Sequence, residues 1–452
     1  MERTLIAALG EHIGKEVSIS GWVDVARDQG KMAFFDFRDR SGKVQGVVFG
    51  KPEVLEVAKT LKQEYVVKVT GIVNERPEKM RKEGVINGDI ELEITGIEIL
   101  SEAAAMPFDM DADLTLETLL DNRPLTLRRE HERAVFKIQH TILTTYRTFL
   151  AGEGFTEFQA PKLVGGDAEG GAEVFKVEYF DGHDAYLATS PQLYKQILVG
   201  AFERVFATGA TFRAEKSATT RHMSEIAMLD LEMGFIESYE DVMALVTKLM
   251  GAISSAVAND CAAELALLGV PAPLAPDAFP TFTLREAQEL IKKETGEDKT
   301  NEPDLEPEDE RFLCEYAAQN LGSDFVFITQ FPTSKRPFYT AKNKENPEFT
   351  DSFDLLFRGL EMCSGSQRVH NYDELVGRIT EKGLDPTKFE FYLQAFKYGL
   401  PPHGGIGMGL ERLTMKMAGL VNVKEASLFP RDMNRIDTLL SKTENNETQN
   451  DD

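Results

Sequence analysis

"TFRAEKSATTRHMSEIAMLDLEMGF", residues 211–235, is polar in its middle and alternates charged with apolar side chains toward its ends. Alternation with a period of two is the mark of an extended chain, so the stretch reads as two antiparallel strands joined by a polar loop. Arg213 and Glu215 share one face of the first strand. On the second, Asp230 and Glu232 share a face while Leu229, Leu231 and Met233 point the other way. With Arg221 and His222 in the loop, the charged face suits a phosphorylated ligand, because arginine clamps phosphate oxygens in pairs. A solvated sheet face laced with salt bridges is the alternative.

A second stretch, "GGIGMGLERL" at 404–413, places Gly405, Gly407 and Gly409 on one strand face. That leaves a flat floor for a planar ring, with Glu411 and Arg412 following at a helix start. A dinucleotide fingerprint would need glycine where Leu410 stands, and a P-loop needs Gly-Lys-Ser/Thr. In "SFDLLFRGLEMCSGSQRVH", 352–370, Glu361 and Ser364 can share a magnesium ion riding on ATP phosphates. Arg368, read as lying in a Gly/Ser loop, suits a small carboxylate. Taken alone, that segment is equally an ordinary amphipathic one.

The rest of the chain fits around these stretches. Residues 17–100 read as five short strands with turn signals, the pattern of a small closed oligonucleotide-binding barrel. The barrel domain is expected over 1–103 and a connector over 104–130. A helical period then begins, with Val135, Ile138, Ile142, Tyr146 and Phe149 on one face, ended by Gly152 or Gly154. Residues 131–440 mix strands and helices, so the fold class is α+β, a barrel followed by an antiparallel sheet flanked by helices. Within them 260–320 look inserted, and the polar tail 441–452 is expected to be disordered.

Net charge is −25, yet residues 1–103 carry 15 Lys/Arg against 18 Asp/Glu, leaving −22 on the remainder. Global charge therefore does not exclude a nucleic acid bound along a local basic path. The cysteines, Cys261, Cys314 and Cys363, are scattered and odd in number, which fits a reducing compartment. The start lacks a leader pattern and no apolar run approaches a membrane span, so a cytoplasmic protein is expected.

Together "FRAE…TTRHMSE", "GIGMGLERL" and the helix ending in "GFTEFQAPKL" resemble the signature motifs of class II aminoacyl-tRNA synthetases, subclass b. The likeness is strongest to the aspartyl enzymes of archaeal and eukaryotic type, and it covers nearly the whole chain. "SPQLYKQ", "EGGAE" and "RGLEMCSGSQR" are similar to the aspartate-specific segments of that family. "HIGKE" at 12–16 echoes a class I signature but precedes a barrel, and has no role.

The resemblance implies activation of L-aspartate with ATP and Mg2+, then transfer to tRNA(Asp), with tRNA(Asn) an open second acceptor. Arg213 and Arg412 would be the catalytic residues. Aspartate would be held by Glu169, Gln192, Lys195, Arg213, Ser364 and Arg368. ATP would meet Arg213, Glu215, Arg221, His222, Met223, Glu361, Gly409, Leu410, Glu411 and Arg412, with Mg2+ on Glu361 and Ser364. A homodimer with Pro161 at its interface is also implied. So is anticodon reading by Arg27, Phe34, Gln45 and Glu91. In "KMAFFDFRDR", Ala33, Phe35 and Phe37 would fill the barrel while Phe34, Asp36 and Arg38 face outward.

The rivals are an asparagine-activating relative, an amide-forming paralogue without a barrel, and a tRNA-binding protein that has lost catalysis. The last would lack Arg213, Glu361 or Arg412, and this chain has all three. Two departures from the family stand out. Gly365-Ser366 replaces the usual Gly-Gly, and "FPRDMNRIDTLLSK" runs on where the family usually stops.

Overall fold

Period-two alternation near the N-terminus becomes a barrel because each strand buries every second side chain. The computed structural model describes residues 1–82, 86–166, 173–217 and 219–440. They form two compact units, Met1–Ala112 and Asp113–Asp452. In the first, β1 (Glu16–Asp28), β2 (Met32–Asp39), β3 (Gly42–Phe49), β4 (Val66–Glu75) and β5 (Ile90–Ser101) close in the order β1-β2-β3-β5-β4. Ala33, Phe35 and Phe37 fill the interior with Val69 and Leu92. A Cβ on Gly46 would lie 2.7 Å from the Phe37 ring, so a bare backbone there lets the aromatics pack.

The second unit is built on eight strands: β6 (Thr156–Glu157), β7 (Arg204–Phe212), β8 (Glu225–Gly234), β9 (Thr281–Thr283), β10 (Phe325–Thr329), β11 (Ser352–Phe357), β12 (Leu360–Gln367) and β13 (His403–Gly409). Their order is β9-β10-β11-β12-β13-β8-β7-β6. The middle of the sheet is antiparallel as expected, but both edge pairings, β9 with β10 and β6 with β7, are parallel. Helices α1 (Glu130–Gly152) and α3 (Tyr239–Asp260) share one core with the sheet. Leu150, fully buried, takes the place expected for Phe149, which only packs against the cluster. Between them in sequence, α2 (Gln192–Phe202) packs against β7 and β8.

Three stretches carry more structure than their sequence patterns suggested. The stretch 104–130 is not a bare connector: it carries helices Leu116–Asp121 and Arg123–Thr126, and Arg123 is buried, donating to the carbonyls of Glu425, Ser427 and Leu428. The stretch 260–320 supplies edge strand β9 and helices α4 (Leu284–Thr295) and α5 (Pro307–Leu321), which build a satellite core on the sheet. Among the described residues α3 is long and apolar enough to cross a membrane, but half of it is buried inside the fold. The tail 441–452 lies outside the described residues.

Candidate active site

The register of the four central strands sets two rows of side chains on one sheet face. One row runs Ser352, Ser366, Gly405, Glu232; the next runs Asp354, Ser364, Gly407, Asp230. Glycine at 405 is demanded by the sheet itself, since a Cβ there would sit 2.2 Å from a Glu232 carboxylate oxygen. At 407 the nearest atom would be 3.2 Å away, so that position is roomier. Above this floor is a cavity of about 360 Å³.

Two buried cations anchor its inner end. Lys195, on α2, donates from Nζ to Asp230 Oδ1 (2.8 Å) and to the Ile406 carbonyl (2.8 Å). Arg368 donates from Nε to Glu232 Oε1 (2.8 Å) and from Nη2 to Glu232 Oε2 (3.1 Å) and the Gly405 carbonyl (2.9 Å). Burial by itself would raise the Glu232 carboxyl, but Arg368 and Lys195 hold it below the usual carboxylate range. Arg368 is not in a loop as expected: it directly follows β12, with its guanidinium committed to Glu232. Lys195 is wholly buried and is not among the residues that line the cavity, unlike Gln192.

Gln192 belongs to a polar chain that sequence reasoning missed. Its Nε2 donates to Gln196 Oε1 (2.9 Å), which also accepts from Tyr392 (3.1 Å). Gln196 Nε2 meets His403 Nε2 at 3.0 Å, and His403 Nδ1 meets the Pro401 carbonyl at 2.8 Å. Burial lowers the His403 ring to about 4, so it is neutral, donating to Pro401 and accepting from Gln196. The partners join residues up to 207 positions apart, a distance no local pattern can report.

The outer end is cationic. Strand β7 stops at Phe212, so Arg213 and Glu215 leave from the loop rather than from one strand face, with Arg213 Nη1 3.9 Å from Glu215. Arg221 is held by Glu310 (3.0 Å) and the Gly359 carbonyl (3.5 Å). Burial, together with Arg412, Arg213 and Arg221, pulls the His222 ring below its ordinary value against the opposing pull of Glu215. Met223 also lines this end. Arg412 rises over Gly409, its Cγ 3.6 Å from where a Cβ would stand.

Two neighbours in "GLER" also tie the site to the fold, and Glu411 lines the cavity as well. Leu410 is buried in the core. Glu411 turns its carboxylate onto the Ala227 amide (3.0 and 3.1 Å), tying its helix to β8.

Glu361 and Ser364 meet, with Ser364 Oγ donating to Glu361 Oε1 at 2.6 Å. Three residues apart on a regular strand they would face opposite sides. A bulge at Met362 on β12, where the register slips from the Leu355–Cys363 pair to the Leu356–Glu361 pair, brings both to the cavity. Asp354, opposite Ser364, was missed; a lone carboxylate inside the apolar run "SFDLLF" was its signal. Its Oδ2 accepts from Arg336 (2.8 Å), its Oδ1 is buried without a geometric hydrogen-bond partner among the described residues, and burial, with Glu361 nearby, lifts it to about 6 against the pull of Arg336 and of the adjacent Ser364. Hard oxygen donors around an unmet carboxylate oxygen fit a magnesium ion. Glu169 lies outside the described residues.

The model for "tRNA synthetases class II (D, K and N)" matches residues 115–433, and that for an OB-fold nucleic acid binding domain matches 17–100. The aspartate–tRNA(Asp/Asn) ligase of Deinococcus radiodurans is 43% identical over 445 residues, 96% of this chain and 99% of that protein. The aspartate–tRNA(Asp) ligase of Pyrococcus abyssi is 40% identical over 430 residues, 94% and 96% of the two chains. This chain belongs to the aspartate–tRNA ligases of class II. Among solved structures, the asparaginyl-tRNA synthetase of Pyrococcus horikoshii complexed with asparaginyl-adenylate superposes with a TM-score of 0.88 at 31% identity, covering 96% of this chain and 99% of the other. The fold is therefore shared across amino-acid specificities, and the distinction rests on side chains.

The synthetase's barrel sets its own candidates on one outer surface. Phe34 is half-buried opposite Arg27, Asp36 stands opposite Gln45, and Glu91 is opposite Asn74. Arg27 pairs with Asp36 at 3.1 Å. Arg38, expected on the same open face, is buried against Glu64 and Asp24 with Trp22 beneath it.

Proposed function

We propose that the enzyme joins L-aspartate to tRNA(Asp), with tRNA(Asn) as a second acceptor, in two steps at the cavity described above. An α-carboxylate oxygen of aspartate attacks the α-phosphorus of ATP, the bond to the β-phosphate breaks, and pyrophosphate leaves. The 3′-hydroxyl of the tRNA's terminal adenosine then attacks the acyl carbon and AMP leaves. The work is positioning and charge neutralisation, for which no protein nucleophile is required. Arg213 would hold the α-phosphate and Arg412 the adenine from above. Arg221 would exchange Glu310 for an outer phosphate, beside His222. Glu361, Ser364 and Asp354 would hold Mg2+, which supplies charge neutralisation on the phosphates when bound. The barrel would read the anticodon, and the enzyme would act in the cytoplasm as a homodimer through the segment around exposed Pro161.

The observation that carries this reading is the guanidinium of Arg368, held rigid at the inner end of a cavity whose other end is lined by Arg213, Arg221 and Arg412. Such a site suits a ligand anionic at both ends. ATP–pyrophosphate exchange should proceed with aspartate and not with asparagine or lysine, and charging of tRNA(Asp) and tRNA(Asn) transcripts side by side fixes the acceptor range. Exchange with asparagine instead would refute the reading. For the metal, Glu361→Ala should move the Mg2+ dependence of exchange upward by about tenfold or more, since a hard cation loses its anionic ligand. An unmoved curve would leave Glu361 with a structural role.

A further inference from the structure

Ser366 stands where the family usually has glycine, and its hydroxyl touches Arg368, one of the cations expected to hold aspartate. Arg368 Nη1 donates to Ser366 Oγ at 2.5 Å. A guanidinium has five N–H donors. The Nε–H and one Nη2–H are held by Glu232, the other Nη2–H by the Gly405 carbonyl, and one Nη1–H by Ser366. One Nη1–H is left. A carboxylate has two oxygens to satisfy, and the paired recognition usual for arginine needs two donors. In this chain Arg368 cannot supply both.

Ser366 can supply the other. Its oxygen accepts from Arg368, and its own O–H meets no acceptor among the described residues. The side chain is 2% exposed and lines the cavity. Across one side of its row stands Gly405, with no side chain. Across the other stands Ser352, whose hydroxyl is engaged with Thr350 at 2.7 Å. A buried hydroxyl proton without a partner is costly, so this one is aimed at something that arrives.

We propose that the Ser366 hydroxyl is a donor to the substrate's side-chain carboxylate, acting beside the remaining Nη1–H of Arg368. The proposal rests on the aspartate reading of the site. It makes Ser366 a specificity residue of this enzyme, through the O–H that its hydroxyl presents to the cavity.

The test is ATP–pyrophosphate exchange by wild type, Ser366→Ala and Ser366→Gly, with KM measured separately for aspartate and for ATP, and thermal unfolding alongside. The expected result is a KM for aspartate raised about tenfold or more, with KM for ATP and the unfolding temperature unmoved, because a hydrogen bond to a charged group has been removed. Glycine adds no bulk, so that variant keeps the test open if alanine disturbs the fold. A folded variant whose KM for aspartate stays within about twofold of wild type overturns the proposal alone. A parallel rise in both KM values also overturns it, since that is a packing defect. A wild-type enzyme that exchanges with asparagine and not with aspartate overturns the aspartate reading together with the proposal.

Discussion

The barrel's outer face and the floor of the cavity use the same residue types in opposite ways. On the barrel, Arg27 and Asp36 pair while 47% and 23% exposed, and the half-buried Phe34 stands beside them. On the floor, Lys195, Arg368, Asp230 and Glu232 are all at least nine-tenths buried and joined to one another. An exposed pair gains little from its partner, because water screens it and each side chain must be immobilised. A buried pair has surrendered its hydration, so losing one member leaves a stranded charge. A surface of the first kind can adapt to a large, mobile ligand. A floor of the second kind holds its shape before a small ligand arrives, which is what a site that works by positioning requires.

Arg368→Leu should give the largest effect. It strands Glu232 in the core and removes the remaining guanidinium donor, a loss of about 3–5 kcal/mol. Pyrophosphate exchange with aspartate should vanish while ATP binding, followed by nucleotide fluorescence, persists; near-wild-type exchange would erase the contrast between floor and barrel.

Second in size is the pH response of Glu411, whose carboxyl burial raises from 4.5 to about 7. Because the folded value lies above the unfolded one, the stability it contributes is fully present below about pH 4.5 and is lost as pH rises through 7. Glu411→Gln mimics the protonated form. Its stability in urea should overtake wild type by about 2–3 kcal/mol between pH 5 and pH 8. Parallel profiles would mean that the Ala227 amide bonds compensate the buried charge.

Phe34→Ala tests the barrel side. An aromatic ring that stacks on an unpaired base contributes about 1–3 kcal/mol, so KM for tRNA should rise about tenfold while tRNA-independent exchange stays put. Equal loss of both activities, or of neither, would move anticodon reading elsewhere. The smallest effect is expected from Asp36→Asn. Breaking its pair with Arg27 should cost less than about 1 kcal/mol of barrel stability, with a weak salt dependence. A larger cost would show that this face is as preorganised as the floor.

Much of this was local and therefore legible. Alternation gave all five barrel strands, and the glycines at 405, 407 and 409 marked a floor because strand parity is a property of neighbours in sequence. Parity misled where the backbone left its ideal path. Arg213 was placed on a strand that ends at Phe212, and Glu361 reached Ser364 only through a bulge.

The sequence by itself determined the two-domain order, the strand faces and the inventory of charges in the signature stretches. Only the tertiary structure decided the partnerships: Arg368 with Glu232, 136 residues away, and Lys195 with Asp230, 35 away. It also decided that Ser366 would meet Arg368. The physical reason is register. Which side chains stand opposite one another is fixed by how distant strands align, and a shift of one residue would send every one of them to the other face.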